Sequence, residues 1–401
     1  MEYFNIINQQ YLHFISYAPT IFKIKVELMD FKENVLAEIT QDISKDNEGS
    51  ISVNYQQGVQ RSCSVTLVNN FNNYIPSATG LIWGTSKFKI YTGVAVDNFS
   101  GVSNDIYWFS QGIYVITNPE ILHELSQKTI TLNGVDKFGV LGNELNYHAF
   151  EGTYLVPANT RVKNVITDIL NLDMGNGNKI DPKLPLIDSA IGEMQLPHEI
   201  KKSPGAFFSE ILIDLGNMFA CDVFYDCEGY LNFVKGNEEL FKSPAEAVYW
   251  HYSEETPQYG GANLKLNFTN IYNSIKVVGA NPSAPYCEAT ARNEDPTSPT
   301  RIEILGERLK YLESSSCYDT SRCQDFANYL LRKNSIAQTT LSFTSSFIPH
   351  LNANKVITIT DKYFGYNEQK FIIQSLDFSL STGGNINVEA TNTANIPYFE
   401  Y

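Results

Sequence analysis

A chain of 401 residues has room for about two to three domains with real cores, which excludes a peptide hormone or a disulfide miniprotein. Its 44 acidic residues outnumber 29 basic ones, a formal charge of −15, the wrong sign for gripping nucleic-acid phosphates as a main task. Charged residues make up only 18%, below the roughly 25% usual for soluble domains, while 24 Tyr and 24 Phe suit strands and extensive subunit contacts.

From Ser50 to Phe138 apolar residues alternate: Ile51, Val53 and Tyr55, then Cys63, Val65 and Leu67, then Phe88 and Ile90, then Ile130 and Leu132. A period of two predicts half-buried antiparallel strands. Turn residues at Asn69–Asn73, Asp97–Asn104 and Thr117–Pro119 separate them. Residues 1–150 therefore read as a first β-domain. The texture changes near Pro157, where Thr160 is expected to cap a helix carrying Val162, Val165, Ile166, Ile169 and Leu170. A second helix is expected to start at Ser203-Pro204-Gly205, with Phe207, Phe208, Ile211, Leu212 and Leu215 on one face and Gly216 near its end. Two short strands around Asp226–Gly229 come next. Residues 151–262 read as an α+β domain inserted between two larger β units.

Alternation returns at Leu264, Leu266 and Phe268 and at Ile275 and Val277. The Pro-rich stretch Asn281–Pro299 reads as a long loop, mobile or bound to a partner. A helix is expected at Thr320–Lys333, with Cys323, Phe326, Ala327, Leu330 and Leu331 facing the core. Strands are expected at Thr339–Thr344, Lys355–Thr360, Lys370–Leu380 and Asn385–Thr391, so residues 263–401 form a second β-domain with one helix. The β units also share an order of segments. Lys87–Gly93, Gln111–Ile116 and Lys128–Gly134 have counterparts in Lys355–Asp361, Gln369–Gln374 and Gly384–Ala390, which predicts a duplicated β-fold.

No residue set rises to a catalytic, cofactor or metal site. His13, His123, His148, His198, His251 and His350 include no zinc-binding spacing, and His123-Glu124 is only a fragment of one. There is no nucleophile elbow, and Met174–Lys179 lacks the form of a phosphate loop. Asp173–Asp181 lacks the spacing of a calcium loop. The neighbours Glu254-Glu255 and Glu294-Asp295 read as solvated surface rather than a glycosidase pair. The six cysteines, Cys63, Cys221, Cys227, Cys287, Cys317 and Cys323, contain no C-x-x-C pair and are expected to be buried or idle reduced thiols. Ile106–Ser110 is either a sugar-stacking platform or two faces of one strand, the latter favoured. No apolar run approaches the roughly 18 residues of a membrane-spanning helix, Ile211–Leu215 being broken by Asp214, and Met1–Asn5 does not open a signal peptide.

The final β unit carries Phe347–Asp361, Gln369–Leu380 and Gly383–Ala390 after the helix. This order resembles the C-terminal part of bacteriophage tail hub proteins, in which a Pro precedes a strand, a Tyr/Phe-x-Ile/Val strand follows and a Gly turn leads to the last strand. Trp83–Gly93, Phe109–Ile116 and Leu132–Leu141 are similar to that family's opening domain, and Phe207–Leu231 to its helix-then-hairpin segment. The resemblance spans nearly the whole chain through degenerate patterns. It implies a mainly β fold with an α+β insert, in which two tube-like β-barrel domains per chain form a pseudo-six-fold ring as a homotrimer.

The implied role is a structural, non-enzymatic tail-tip or baseplate hub in the virion tail, assembled in the host cytoplasm. Such a hub joins the six-fold tail tube to the three-fold tip and lines the DNA channel. The implied partners are the tail tube or distal tail protein ring, the tape-measure protein and tip, spike or fibre proteins. DNA would pass through without specific binding, and an acidic inner wall would suit that passage. No cofactor is implied. Because the sequence stops at Tyr401, a minimal hub is expected, with any lysin or spike on another chain. The competing readings are a tail-associated cell-wall hydrolase, which would need a clustered acid and base, and a receptor- or carbohydrate-binding tail protein.

Overall fold

The computed structural model describes residues 11, 15, 22–45, 49–56, 58–84, 86–97, 104–142, 145, 149–174, 177–236, 248–256, 258–280, 285–314, 317–335, 338–381 and 384–393. Eight strands come first: β1 (Phe22–Met29), β2 (Val35–Glu38), β3 (Gly49–Asn54), β4 (Arg61–Val68), β5 (Lys87–Asp97), β6 (Asn104–Ile116), β7 (Glu120–His123) and β8 (Lys128–Asp136). β1 has a clear physical basis: Phe22, Val26 and Leu28 are buried while Lys23 is exposed, so one face of the strand meets the core. β1, β2 and β7 escape the sequence reading. β7 is exposed along its whole length, so it leaves no alternation to read.

The middle of the chain holds the helices α1 (Phe138–Leu141), α2 (Val162–Leu170), α3 (Ser189–Glu193) and α4 (Phe208–Met218), with short strands β9 (Tyr154–Val156), β10 (Leu186–Ile187), β11 (Ile200–Lys202), β12 (Cys221–Tyr225) and β13 (Leu231–Lys235). All five expected apolar residues of α2 are buried. Thr160 does not cap it. The cap position is Arg161, without a side-chain bond, and Thr160 donates its hydroxyl instead to the Pro157 carbonyl at 2.7 Å. The next helix starts at Phe208, beyond the Ser-Pro-Gly turn, because Glu210 Oε1 accepts the Phe207 N–H at 2.9 Å and fixes the first turn there. Gly216 is buried and lies near the end of this helix, as expected.

The last part contains β14 (Val248–Ser253), β15 (Asn263–Asn267), β16 (Ser274–Gly279), β17 (Glu288–Arg292), α5 (Ile302–Leu305), β18 (Leu309–Ser314), α6 (Thr320–Asn334), β19 (Gln338–Ser346), β20 (Val356–Asp361), β21 (Tyr366–Ser379) and β22 (Asn385–Asn392). The expected loop Asn281–Pro299 therefore contains a strand, β17, paired with β16. Two buried asparagines order the segment between β17 and β18. Asn273 donates to the carbonyls of Thr300 and Gly306 and accepts the Arg308 N–H, while Asn293 donates to Ser298 and Thr300 hydroxyls. Residues 281–284 lie outside the described residues.

The protein is mostly β, as the alternation predicted. One sheet of 14 strands runs in the order β15-β19-β22-β21-β3-β4-β8-β6-β5-β1-β2, with β14, β20 and β7 attached beside it. Within it the order β4-β8-β6-β5 is matched by β19-β22-β21-β20, every pair antiparallel. Each quartet has its first strand beside its fourth, the order of a Greek key. β3 joins the quartets, pairing Ile51 with Cys63 of β4 on one side and with Phe378 of β21 on the other. Accordingly a single hydrophobic core takes Val26, Ile90 and Leu132 from the first part and Phe371, Ile373 and Val388 from the last. At about 1.5–3 kcal/mol for each fully buried aliphatic side chain, this shared core binds the chain's two ends together.

A second core lies among α1, α2, α4, β12 and β13. A third, small core joins the β17-β16-β18 sheet to α6 through Ile275, Val277, Ala291, Cys323 and Ala327.

Candidate functional site

A dense polar cluster sits where the middle segment and its hairpin meet the first quartet. Glu33, in the turn between β1 and β2, has φ of +68°, a left-handed conformation that costs about 1–2 kcal/mol in a non-glycine residue. Its buried carboxylate lies between three lysines. Lys137 Nζ is 2.5 Å and Lys87 Nζ 3.2 Å from Oε1, and Lys183 Nζ is 2.9 Å from Oε2. Lys137 also reaches Asp181 Oδ1 at 2.7 Å and the Gly229 carbonyl at 2.8 Å, and the Tyr225 hydroxyl donates to Asp181 Oδ2 at 2.6 Å. Burial by itself would raise the Glu33 carboxyl, but the charges of Lys137 and Lys87 bring it down to about 2. Burial, together with the charge of Lys137, lowers Lys87 to about 8.

Around this cluster the β12–β13 hairpin is pressed onto β5 and β6. Ser110 donates to the Cys227 carbonyl at 2.7 Å and Lys89 pairs with Glu228 at 2.6 Å. Gly229 sits at φ +77°, a conformation that residues with a side chain rarely adopt, and a Cβ there would press on the Ile113 Cδ1 methyl at 2.7 Å. The cluster holds no nucleophile beside a base, and each of its carboxylates is occupied by cations or donors. What it does is clamp two parts of the chain.

A second polar seam joins the two quartets. Buried Arg61 donates through Nη2 to Asn352 Oδ1 at 2.7 Å and through Nη1 to the Gln111 carbonyl at 3.3 Å. Gln111 in turn donates to the Pro349 carbonyl and to Thr92. Asp136, fully buried, accepts backbone N–H groups of Gln60, Arg61 and Phe138. Burial outweighs those bonds and raises its carboxyl to about 6. His350 is enclosed by Tyr11, Phe109 and Trp250, with one ring nitrogen 2.9 Å from the Tyr11 hydroxyl and the other 3.1 Å from the Tyr249 carbonyl. Burial lowers it to about 4.

Several carboxylates weighed from sequence have local partners. Glu254 Oε1 accepts the Lys362 N–H, and Glu255 lies 3.7 Å from the Lys362 ammonium. Asp295 accepts from Thr297 twice. Glu254 also borders a surface hollow with Tyr259, Asp361 and Tyr363, where Asp361 is fully engaged by the Tyr259 hydroxyl and two backbone N–H groups. Asp181, the last residue of the stretch weighed as a calcium loop, is one of the buried ion partners. His123 is exposed on β7, His198 packs against Tyr318, and His251 meets the Thr358 hydroxyl; His13 and His148 lie outside the described residues. Among the described residues no cluster of three His, Cys, Asp or Glu side chains suits a metal ion. All six cysteines are free, five of them buried, and Cys221 donates to the Phe219 carbonyl.

Tyr107 and Phe109 turn toward the core while Ile106 and Trp108 are partly exposed, the latter packed over Gly93. No described helix is long and apolar enough to cross a membrane. The cluster around Glu33 escapes sequence reading because Glu33, Lys87, Lys137 and Asp181 have ordinary spacing and ordinary neighbours.

Among the described residues, the main sheet ends at β2 and β15 with no further strand paired beyond them. β2 exposes Val35 and Leu36, and β15 exposes Leu266, with Phe268 just beyond it. An apolar edge with unpaired backbone groups is a template for another strand.

No family model and no curated protein sequence matches the chain. Solved structures do. The 43 kDa tail protein of prophage MuSo2 from Shewanella oneidensis is 12% identical with a TM-score of 0.59, covering 93% of this chain and 99% of its own. The tail protein from Neisseria meningitidis MC58 is 10% identical with a TM-score of 0.59, covering 94% and 99%. Prophage tail protein gp18 from Listeria monocytogenes EGD-e is 11% identical with a TM-score of 0.52, covering 92% and 95%. At such identities the likeness is one of fold, and it extends over nearly the full length of all three proteins.

Proposed function

We propose that this chain is a structural tail-tip or baseplate hub of a phage-like virion tail, acting without catalysis as a homotrimer. The observation that carries the reading is the duplicated strand order, β4-β8-β6-β5 and β19-β22-β21-β20. Two like units per chain, taken three times, offer six similar surfaces to a six-fold tube while keeping a three-fold axis for the tip. The fold likeness over nearly the full length of three tail proteins, two of them prophage tail proteins, supports it.

In this reading residues 1–150 and 263–401 supply the two tube-like β-barrel units. Residues 151–262 supply the middle unit, its strand β14 being lent to the second barrel. Copies mate edge to edge, β15 of one against β2 of the next, where Lys265 and Glu38 are exposed and of opposite charge. The ring contacts the tail tube or distal tail ring, the tape-measure protein and tip, spike or fibre proteins. The excess of acidic residues lies toward the lumen, so that DNA slides past without binding.

The test is the solution mass of the purified chain by light scattering at several concentrations. A species near three times 45.2 kDa that Leu266→Glu converts to monomer, with its circular dichroism unchanged, supports the reading. A chain that stays monomeric when concentrated and when mixed with tail-tube rings overturns it.

A further inference from the structure

Three of the six cysteines share the small third core: Cys287 on the approach to β17, Cys317 just before α6 and Cys323 in the first turns of α6. The Sγ atoms of Cys287 and Cys323 are 3.5 Å apart, and Cys287 Sγ is 3.8 Å from the Cys317 carbonyl oxygen. The neighbouring strand is hollowed to admit the first sulfur. A Cβ on Gly279 would lie 2.4 Å from Cys287 Sγ and 2.6 Å from the Cys317 carbonyl, so only glycine permits this approach. Ala289, Ala291 and Ala327 complete a lining of small side chains.

We propose that Cys287 and Cys323 form a disulfide, a covalent cross-link site tying the start of β17 to α6. A disulfide is about 2.05 Å long, so the sulfurs need to close by roughly 1.5 Å. In a reducing cytosol the pair stays as thiols. Oxidation follows release of the particle, a setting that rests on the tail reading above. The oxidant is a small peroxide. The thiolate of Cys287, the less enclosed of the two, attacks hydrogen peroxide: an S–O bond forms, the O–O bond breaks and hydroxide leaves. The Cys323 sulfur then attacks the sulfenic acid, forming S–S and breaking S–O. The departing hydroxide takes the Cys323 proton, so two thiols and one peroxide give one disulfide and two waters. Sulfur is oxidised and peroxide oxygen reduced. Burial pushes the Cys323 thiol up to about 12, which makes the pair slow to react until the small core opens. Once formed, the bond closes a loop spanning 36 positions that contains β17, α5 and β18, restricting its unfolded states.

The experiment uses the whole purified chain, reduced, desalted, treated with hydrogen peroxide, alkylated and digested without reductant. The expected peptide map holds a Cys287–Cys323 cross-linked pair, lighter by two hydrogens and separated again by dithiothreitol, with a higher melting midpoint in the oxidised chain. Cys317→Ser keeps the cross-link and Cys323→Ala abolishes it. Recovery of Cys287 and Cys323 both alkylated after oxidation, or of a cross-link running to Cys317 instead, overturns the proposal; because the wild-type map decides by itself, an unstable variant does not obscure it. A monomeric chain that still forms this bond would count against the hub and leave the cross-link standing, and a trimer without the bond would do the reverse.

Discussion

Arg61 Nη2 donates to Asn352 Oδ1 at 2.7 Å across a separation of 291 residues. The two residues belong to the first β-quartet and to the segment leading into β20 of the second, so one buried guanidinium spans the duplication. A planar, permanently charged fork suits this place, since it reaches Asn352 and the Gln111 carbonyl together.

Removal of that bridge has a directional outcome. Arg61→Met is expected to cost about 1–3 kcal/mol for each buried acceptor it leaves without its donor, Asn352 Oδ1 and the Gln111 carbonyl. Asn352→Ala is expected to cost about 1–3 kcal/mol, and the double variant less than the sum. Urea unfolding of the four proteins checks this, and an Asn352→Ala chain as stable as wild type would contradict the bridge.

The ion cluster sets the acid limb of stability. Glu33 is held at about 2 in the fold, below its value of about 4.3 in an unfolded chain. Its contribution is therefore present above that unfolded value and lost as pH falls toward 2. Glu33→Gln leaves Lys87, Lys137 and Lys183 facing Asp181 alone, at a cost of about 3–5 kcal/mol near neutrality. Melting curves should show the variant and wild type converging as the pH is lowered from 5 to 3. A constant gap would refute the assignment.

His350 and Asp136 oppose each other in the same pH range. His350 sits near 4 in the fold and about 6.5 when unfolded, so the unfolded chain binds more protons between those values and stability falls as the solution is acidified through them. Asp136 sits near 6 against about 3.9 unfolded, so its stabilisation is complete below the unfolded value and lost as pH rises through 6. His350→Phe should flatten the first dependence and Asp136→Asn the second, read as differences in melting midpoint between pH 4 and 7. Two variants with the same slope would be inconsistent with these environments.

Gly49 is the hinge of the strand that joins the quartets. Its φ is +124°, and a Cβ there would fall 2.0 Å from the Ser64 carbonyl oxygen while its own carbonyl accepts the Leu380 N–H. Gly49→Ala is expected to destabilise the protein by more than about 2 kcal/mol, through strain and the displaced β3–β4 register. Thermal unfolding measures it, and a wild-type midpoint would mean that β3 can shift without cost.

Local periodicity was enough to identify the strands that make the duplication. Val65, Leu132, Ile359 and Val388 alternate with polar neighbours and are buried, because a strand offers one face to a core regardless of what supplies the rest of it. α2 and α6 were legible for the corresponding reason at helical spacing. Pairing partners were not. That β3 bridges to β21, that Arg61 meets Asn352 and that Glu33 collects lysines from three separate segments depend on contacts between residues far apart in the chain. No local pattern encodes such contacts, since a buried lysine and an exposed one share the same neighbours in sequence. Tertiary packing alone decided which charges lost their water, and with it which residues clamp the fold and which cysteines meet.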